Sequence, residues 1–456
     1  MRVLLVEPDY RASYPPIGLL RIGSFHQQNG DSVTLSRGTD PKLRDSVWDR
    51  VYVSSLFTYE LRRTVRTILY YQESVESARH LVVGGIAATL CPDFIKKRTK
   101  CKIVTGQLDR GNALGKGTPA ISKIPPDYSL LDSIDFNYSL QDAFFCRATV
   151  GCIRQCKFCA VPTLESKYCE VKGWESQIDQ TRQNHGERQH LVLLDNNILA
   201  SRNLAGIISS IADQGFARGA KRNRRRRRVD VSQGLDARFI TKQVARALGS
   251  INLHPIRLAF DDLSVETAYR SAIQNLAEQG FRKFNNYMLY NYNDTPQELY
   301  QRMRVGLKLG IEEGVEISGF PMRYISTDAI RRGSVGSGWT WRQLRGLQCL
   351  LLVTKGIVSP NPDFYHLAYG STSDQFEEIL SMPDRYILFR KKYMNNGAAD
   401  WRRKYRKLTA SDKTALLGIL DKIHSSRDRS QVLQGNPRFA ELLDHYYPNG
   451  ENPPRK

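Results

Sequence analysis

The sequence predicts an α/β protein in three parts: a doubly wound parallel sheet of Rossmann-like type, a second strand-helix series, and a helical C-terminal region. Three observations carry this. Short apolar strands alternate with helix-length segments over the first third of the chain, the alternation restarts after a polar connection, and beyond about Ser326 it gives way to helical periodicity.

In chain order, Arg2 to Val6, Ser32 to Leu35, Val51 to Ser54, His80 to Val83 and Lys102 to Val104 read as strands, with Ile17 to Asn29 and Tyr59 to Gln72 as helices between them. Strands that return through helices run parallel, and ligands of such sheets sit beyond the carboxyl ends of the strands. This reading gives a first domain over 1–122 and a linker over 123–143, marked by Ile124-Pro125-Pro126-Asp127. Within 144–325, strands are expected at Arg147 to Val150, His190 to Leu194, Val229 to Ser232, Ile256 to Phe260, Lys283 to Leu289 and Val315 to Gly319. Residues 326–456 form the last region, where Trp339, Trp341, Leu344, Leu347 and Leu350 offer one apolar helix face.

A chain of 456 residues has room for two or three cores, and 41% apolar with 25% charged residues is the composition of a globular protein rather than a disordered one. No run approaches about 18 apolar residues, and the first residues lack the apolar stretch of a signal peptide, so a cytoplasmic protein without a membrane span is expected. Eight cysteines, with no second Cys-x2-Cys unit beside Cys156 and Cys159, argue for a reducing compartment rather than a disulfide framework or a zinc ribbon. None of the eight histidines forms a metal-like pair at helical spacing.

Lys and Arg outnumber Asp and Glu by 67 to 46, a formal charge of +21 that attracts polyanions. Two segments concentrate it. Arg218 to Arg228 lies before the third strand of the second series, hence at the end opposite the carboxyl-end loops; it reads either as a distal grip on a polyanion or as a solvated loop. In Arg385 to Lys407, Tyr386, Phe389, Tyr393, Trp401 and Tyr405 alternate with basic clusters, as in a surface that stacks unpaired bases, or equally as in an amphipathic helix with its rings in the core.

The segment with most chemical content is Cys152-Ile-Arg-Gln-Cys156-Lys-Phe-Cys159. Three thiolates on one loop would hold three irons of a 4Fe-4S cluster and leave the fourth iron open to an outside ligand. This Cys-x3-Cys-x2-Cys pattern, with Phe158 before its last cysteine, resembles the radical S-adenosylmethionine (SAM) superfamily. The resemblance implies a partial (β/α)6 barrel over 144–325, cluster ligation by Cys152, Cys156 and Cys159, and SAM chelated at the open iron. It also implies an electron donor such as a flavodoxin or ferredoxin, reductive cleavage of SAM, and hydrogen abstraction by the resulting 5'-deoxyadenosyl radical.

By the same resemblance SAM contacts fall at the carboxyl ends of the strands: Phe158 by its backbone, Asp195 and Asn196 near the amino group, Gln233 and Asp236 in the next loop, and Asp261 or Asp262 near the ribose. Each of these acids and amides also precedes a helical segment and could serve as an N-cap. Ser54-Ser55-Leu56 and Gly84-Gly85 resemble the later elements of the cobalamin-binding signature, so Ser54, Leu56, Gly84 and Gly85 are its expected cobalamin contacts. The first element should carry a cobalt-ligating histidine, yet the chain has Glu7-Pro8-Asp9-Tyr10-Arg11-Ala12 there, and two glycines are also ordinary in a strand-to-helix turn. Cys91, Cys101 and Cys146 are expected to be buried, inert thiols rather than a second cluster set, and Cys169 and Cys349 packing residues. The charge pattern makes a nucleic acid, RNA, the expected substrate. Methylation or rearrangement of a small molecule, lipid or peptide is the alternative enzymatic reading, and an iron-sulfur redox sensor that binds nucleic acid the non-enzymatic one.

Overall fold

The computed structural model describes residues 1–425 and 429–447. It divides into two compact units, Met1–Arg257 with Ile325–Gly333, and Leu258–Tyr324 with Ser334–Lys456. No helix of the described residues is long and apolar enough to cross a membrane.

The first unit opens with strands β1 (Arg2–Glu7), β2 (Ser32–Arg37), β3 (Arg50–Ser54), β4 (Leu81–Gly84) and β5 (Lys102–Ile103), paired in parallel in the order β2-β1-β3-β4-β5. This is a doubly wound order whose switch point lies between β1 and β3. Alternation along the strands explains the two covered faces. Leu4, Val6, Val51, Val53, Leu81 and Val83 enter one buried cluster with Leu61, Val65 and Ile68 of the helix Leu61–Tyr71, whereas Val3, Leu5, Tyr52 and Val82 enter another with Leu19 and Leu20 of the helix Ile17–Gln28.

The unit continues with β6 (Ala143–Cys146), β7 (Thr149–Val150), β8 (Cys169–Glu170), β9 (His190–Leu193), β10 (Lys221–Arg222), β11 (Arg225–Arg226) and β12 (Arg228–Val231). Strands β12, β9 and β6 form a parallel three-stranded sheet in that order. The strand expected at Arg147 to Val150 is displaced. The fully buried run Ala143-Phe144-Phe145-Cys146 enters the sheet instead, while Thr149 and Val150 leave it to pair antiparallel with Glu170 and Cys169. A run buried on both faces suits a covered parallel sheet better than one interrupted by Arg147.

The second unit contains the latter half of β13 (Ile256–Ala259), together with β14 (Lys283–Tyr290) and β15 (Glu316–Arg323), in a sheet of order β13-β14-β15. Its long helix Pro296–Glu312 starts with a capping box between Thr295 and Glu298. Arg302 of that helix, 1% exposed, donates to the carbonyls of Phe260, Asp261 and Leu289 and pairs with Asp294, which ties the helix to the strand ends. The C-terminal region is helical as expected, beginning with Trp341–Val353.

In the basic aromatic segment Tyr386, Trp401 and Tyr405 are buried, Trp401 and Tyr405 stacking at 4.6 Å. Four of its cations are drawn to neighbouring acids: Arg402 and Arg406 to Glu378, Arg403 and Lys404 to Asp400. Three of the five rings are therefore core residues of amphipathic helices rather than a surface on which bases could stack. Phe389 is the ring that stands out, at 58% exposure.

Candidate functional site

All three motif cysteines are outside any disulfide and half-buried, on the loop that follows β7. Gly151 begins the loop at φ +79°, and a Cβ there would stand 2.4 Å from the Lys167 carbonyl oxygen, so the turn into Cys152 needs glycine. Two sulfurs already receive N–H donors. Cys152 Sγ accepts from Arg154 N at 3.3 Å and from Asn197 Nδ2 at 3.5 Å, and Cys159 Sγ accepts from Val161 N at 3.5 Å. N–H donors aimed at sulfur are the kind of outer contact that orients a metal-ligating cysteine.

The loop is fixed from beneath by two carboxylates. Glu165, with its side chain 6% exposed, accepts the Gly151 N–H at 2.6 Å and the Asn196 amide at 2.6 Å, and takes Arg147 and Gln107 on its other oxygen. Asp195 is fully buried and accepts from Ala148 N, Thr149 N and Thr149 Oγ. Burial pushes its carboxyl up to about 6, with the three donors opposing. Asp195 is therefore a positioning residue for the chain entering the loop, and Asn196 is held by Glu165.

Beside the loop, Asp236 pairs with Arg238 at 2.7 Å and with Arg154 at 3.3 Å. Burial raises its carboxyl, but bonding to and charge from Arg238, with Arg154, outweigh this and leave it below its ordinary range. The Arg238 guanidinium, held up by Asp236, also feels Cys156 and Cys152. Two guanidiniums thus stand where thiolates would carry negative charge. Gln233 is exposed in the same loop, and Phe158 is half-buried within the cysteine loop.

Asp261 and Asp262 belong to the second unit. Asp261 accepts from Leu289 N at 2.6 Å, and Asp262 caps Leu263–Val265 through Ser264 N at 2.7 Å, so the capping role open to Asp262 in the sequence is the one it has.

At the ends of β3 and β4, Gly85 has φ +104° and a Cβ would stand 2.5 Å from the Ser55 carbonyl oxygen. The close backbone approach that requires this glycine is thus internal to the fold. Ser54 Oγ lies 3.3 Å from Tyr10 Oη, Leu56 is half-buried, and Ser55 Oγ is buried with no partner. That orphaned hydroxyl is the feature there that fits a polar group of a bound ring system; no histidine stands in Glu7 to Ala12 to reach cobalt.

The remaining thiols differ in environment. Burial pushes Cys91, Cys101, Cys146 and Cys349 up, Cys349 to about 11, which keeps them neutral. Cys169, expected to pack, is instead exposed on β8 opposite Val150.

Whether the loop fits a cluster can be judged from its donors. Among the described residues no three His, Cys, Asp or Glu side chains converge on one metal-ion position. A four-iron cube takes its thiolates at separate corners, so its ligands do not meet at a point. Asn197 supplies a further sign: 4% exposed, it gives its Nδ2 to Cys152 while its Oδ1 is buried with no partner. A buried acceptor without a donor is costly unless a ligand supplies one. The cysteines and this orphan acceptor fit a cluster with a second, polar ligand beside it.

Glu165 and the role of Asn197 went unseen in the sequence. A lone glutamate in a loop carries no periodic or spacing signal, and only the folding of the chain after Cys159 back towards Gly151 gives it a purpose.

No family model matches the chain, and no curated protein matches it. Among solved structures it is similar to the radical SAM methyltransferase TsrM from Kitasatospora setae, determined with tryptophan and a SAM analogue, at 12% identity over 76% of this chain and 76% of that one, TM-score 0.49. It is also similar to OxsB, a cobalamin-dependent SAM radical enzyme determined with aqua-cobalamin, at 13% identity over 67% of this chain and 52% of that one, TM-score 0.48. SuiB of Streptococcus suis follows at 12% identity over 47% and 46%, TM-score 0.32. Likeness of this degree assigns neither activity nor substrate.

Proposed function

We propose that the protein is a radical SAM enzyme whose Cys152, Cys156 and Cys159 hold a 4Fe-4S cluster. The observation that carries this is the loop itself: three half-buried cysteines outside any disulfide in Cys-x3-Cys-x2-Cys spacing, with N–H donors aimed at Cys152 and Cys159 and the orphan Asn197 Oδ1 beside them. Bound there with SAM, the cluster would pass one electron from an outside donor, a flavodoxin or ferredoxin, to break the SAM carbon-sulfur bond and release methionine and a radical that abstracts hydrogen from substrate.

The chain's own residues have distinct parts in this. Gly151, Glu165 and Asp195 set the loop. Arg154 and Arg238, joined through Asp236, place positive charge beside the thiolates, which makes a reduced cluster easier to reach. Asn196, Asn197 and Gln233 offer amides to the SAM amino acid group, and Phe158 its backbone to adenine. The proposed layout is a Rossmann-like domain over 1–122 followed by a partial (β/α)6 barrel over 144–325. A cobalamin site at Ser54, Leu56, Gly84 and Gly85, with the Ser55 hydroxyl as an added donor, belongs to this proposal. A reducing cytoplasm suits eight cysteines outside disulfides. For the substrate we take a nucleic acid, RNA, on the net charge of +21.

Anaerobic reconstitution with iron and sulfide tests the core of this reading. Wild type should gain cluster absorption and, with dithionite and SAM, release 5'-deoxyadenosine. Cys156→Ala should lose both, while Cys169→Ala on the exposed ribbon should keep both. A Cys156→Ala protein with wild-type iron content would end the proposal.

A further inference from the structure

The five consecutive arginines Arg224 to Arg228 do not form a loose loop. Strands β10 and β11 make a short antiparallel ribbon closed by Asn223 at φ +51° and Arg224 at φ +63°, the two left-handed residues of a tight hairpin turn. Its base is held by two buried amides. Asn252 accepts from Gly219 N at 2.8 Å and donates to the Ala220 carbonyl at 2.9 Å, while Gln189 Nε2 donates to the carbonyls of Arg225 and Arg226.

Two features of this ribbon work against the stability of the protein alone. The cross-strand pairs are Lys221 opposite Arg226 and Arg222 opposite Arg225, like charges in both cases. The second turn position, where glycine is favoured, carries another arginine. Arg227 alone folds inward, over the Phe216 ring at 3.8 Å and onto Glu187. Lys221, Arg224, Arg225 and Arg228 are exposed and make no ion pair among the described residues. The field of this group is felt nearby: burial first, then Arg228 and its neighbours, lower both His190 and His254.

We infer that this rigid hairpin is a docking site for the phosphate backbone of a nucleic acid duplex, remote from the cysteine loop. This rests on the reading of the substrate as a nucleic acid. The ribbon precedes β12, whereas the Gln233 to Arg238 loop beside the cysteines follows it, so about 13 Å of strand separates them. An electron-donor protein would have to dock at the cysteine end. Residues 221–226 contain no apolar or aromatic side chain, so the hairpin lacks both the apolar centre of a protein interface and rings for stacking bases. What it offers is guanidinium forks, which match phosphate oxygens two at a time and give salt-dependent, sequence-independent binding.

The test uses the full-length reconstituted protein and a short mixed-sequence RNA duplex, titrated between about 50 and 200 mM salt. Relative to wild type, Arg224→Ala/Arg225→Ala/Arg228→Ala should bind about tenfold or more weakly and lose about 2.7 from the slope of log affinity against log salt, about 0.9 per cation. Lys391→Ala/Lys392→Ala/Lys407→Ala, equal in charge, should lose much less. Equal losses in both variants, or none in the first, overturn the assignment. So does tighter hairpin-dependent binding to polyglutamate or to phosphatidylserine vesicles at the same salt, which would point to an acidic protein or a lipid surface. Release of 5'-deoxyadenosine without RNA should be unchanged in the hairpin variant. If wild type releases none, the radical SAM reading falls while the duplex titration still decides the hairpin.

Discussion

Glu165 Oε2 accepts the backbone N–H of Gly151 at 2.6 Å, so the residue that opens the cysteine loop is anchored by a carboxylate that follows its last cysteine. The same carboxylate holds Asn196 and Arg147. Removing it leaves a buried N–H and a partly buried guanidinium unpaired. Glu165→Ala should cost about 2–3 kcal/mol, and Glu165→Gln, which keeps an acceptor, about half of that. Urea midpoints of the iron-free proteins check the energies. Iron retained after reconstitution should follow the same order.

Gly151 makes a sharper test because its neighbours leave no space. At φ +79° a methyl group would meet the Lys167 carbonyl at 2.4 Å, whereas at Gly173, φ +65°, nothing lies within 4 Å. Gly151→Ala should therefore suffer the backbone penalty and a backbone clash, about 3 kcal/mol together, and Gly173→Ala only the penalty of about 1 kcal/mol. Thermal unfolding of the two variants side by side separates these contributions. Equal shifts would mean that the loop yields to the methyl group.

Much of this was legible in the sequence because it rested on local pattern. Continuous apolar runs in Arg2 to Val6 and Val51 to Ser54 announce strands with two covered faces, and the cysteine spacing announces the loop without any tertiary information. What escaped was set by contacts distant in the chain. Asp195 looks like any acid at a strand end, but its burial against Ala148 and Thr149 turns it into a support. The rings of Tyr386, Trp401 and Tyr405 alternate with cations in the same way whether they face solvent or core, and only packing decides. Arg224 to Arg228 reads as one charge run, yet two buried amides and Phe216 sort it into an inward and several outward residues.

Asp195 gives the protein a specific dependence on pH. Its folded carboxyl, raised to about 6, binds a proton more tightly than in the unfolded chain, where a value near 3.9 applies. Folding is then most favoured by this group at the acidic end; its contribution falls as pH rises from about 4 to about 6 and stays constant above. The total change is on the order of 3 kcal/mol. Asp195→Asn does not titrate, so the difference in urea stability between wild type and variant should change across pH 4–6 and be flat from 6 to 8. A flat difference throughout would show that the three donors hold the carboxylate ionised.

Within five consecutive arginines, substitution should have opposite consequences at two positions. Arg227 is 7% exposed, stacked on Phe216 and paired with Glu187 at 2.6 Å, so Arg227→Ala opens a void, strips a ring of its cation and leaves Glu187 with Arg182 as its remaining ion-pair partner. A loss of about 2–3 kcal/mol is expected. Arg224 sits exposed at φ +63°, where glycine has no steric penalty, so Arg224→Gly should stabilise the protein by about 1 kcal/mol. Denaturant midpoints of the two single variants measure both effects. A hairpin that gains stability when Arg224 is removed keeps that arginine for something other than folding, and the duplex titration of the same Arg224→Gly protein should then show weaker binding despite the firmer fold.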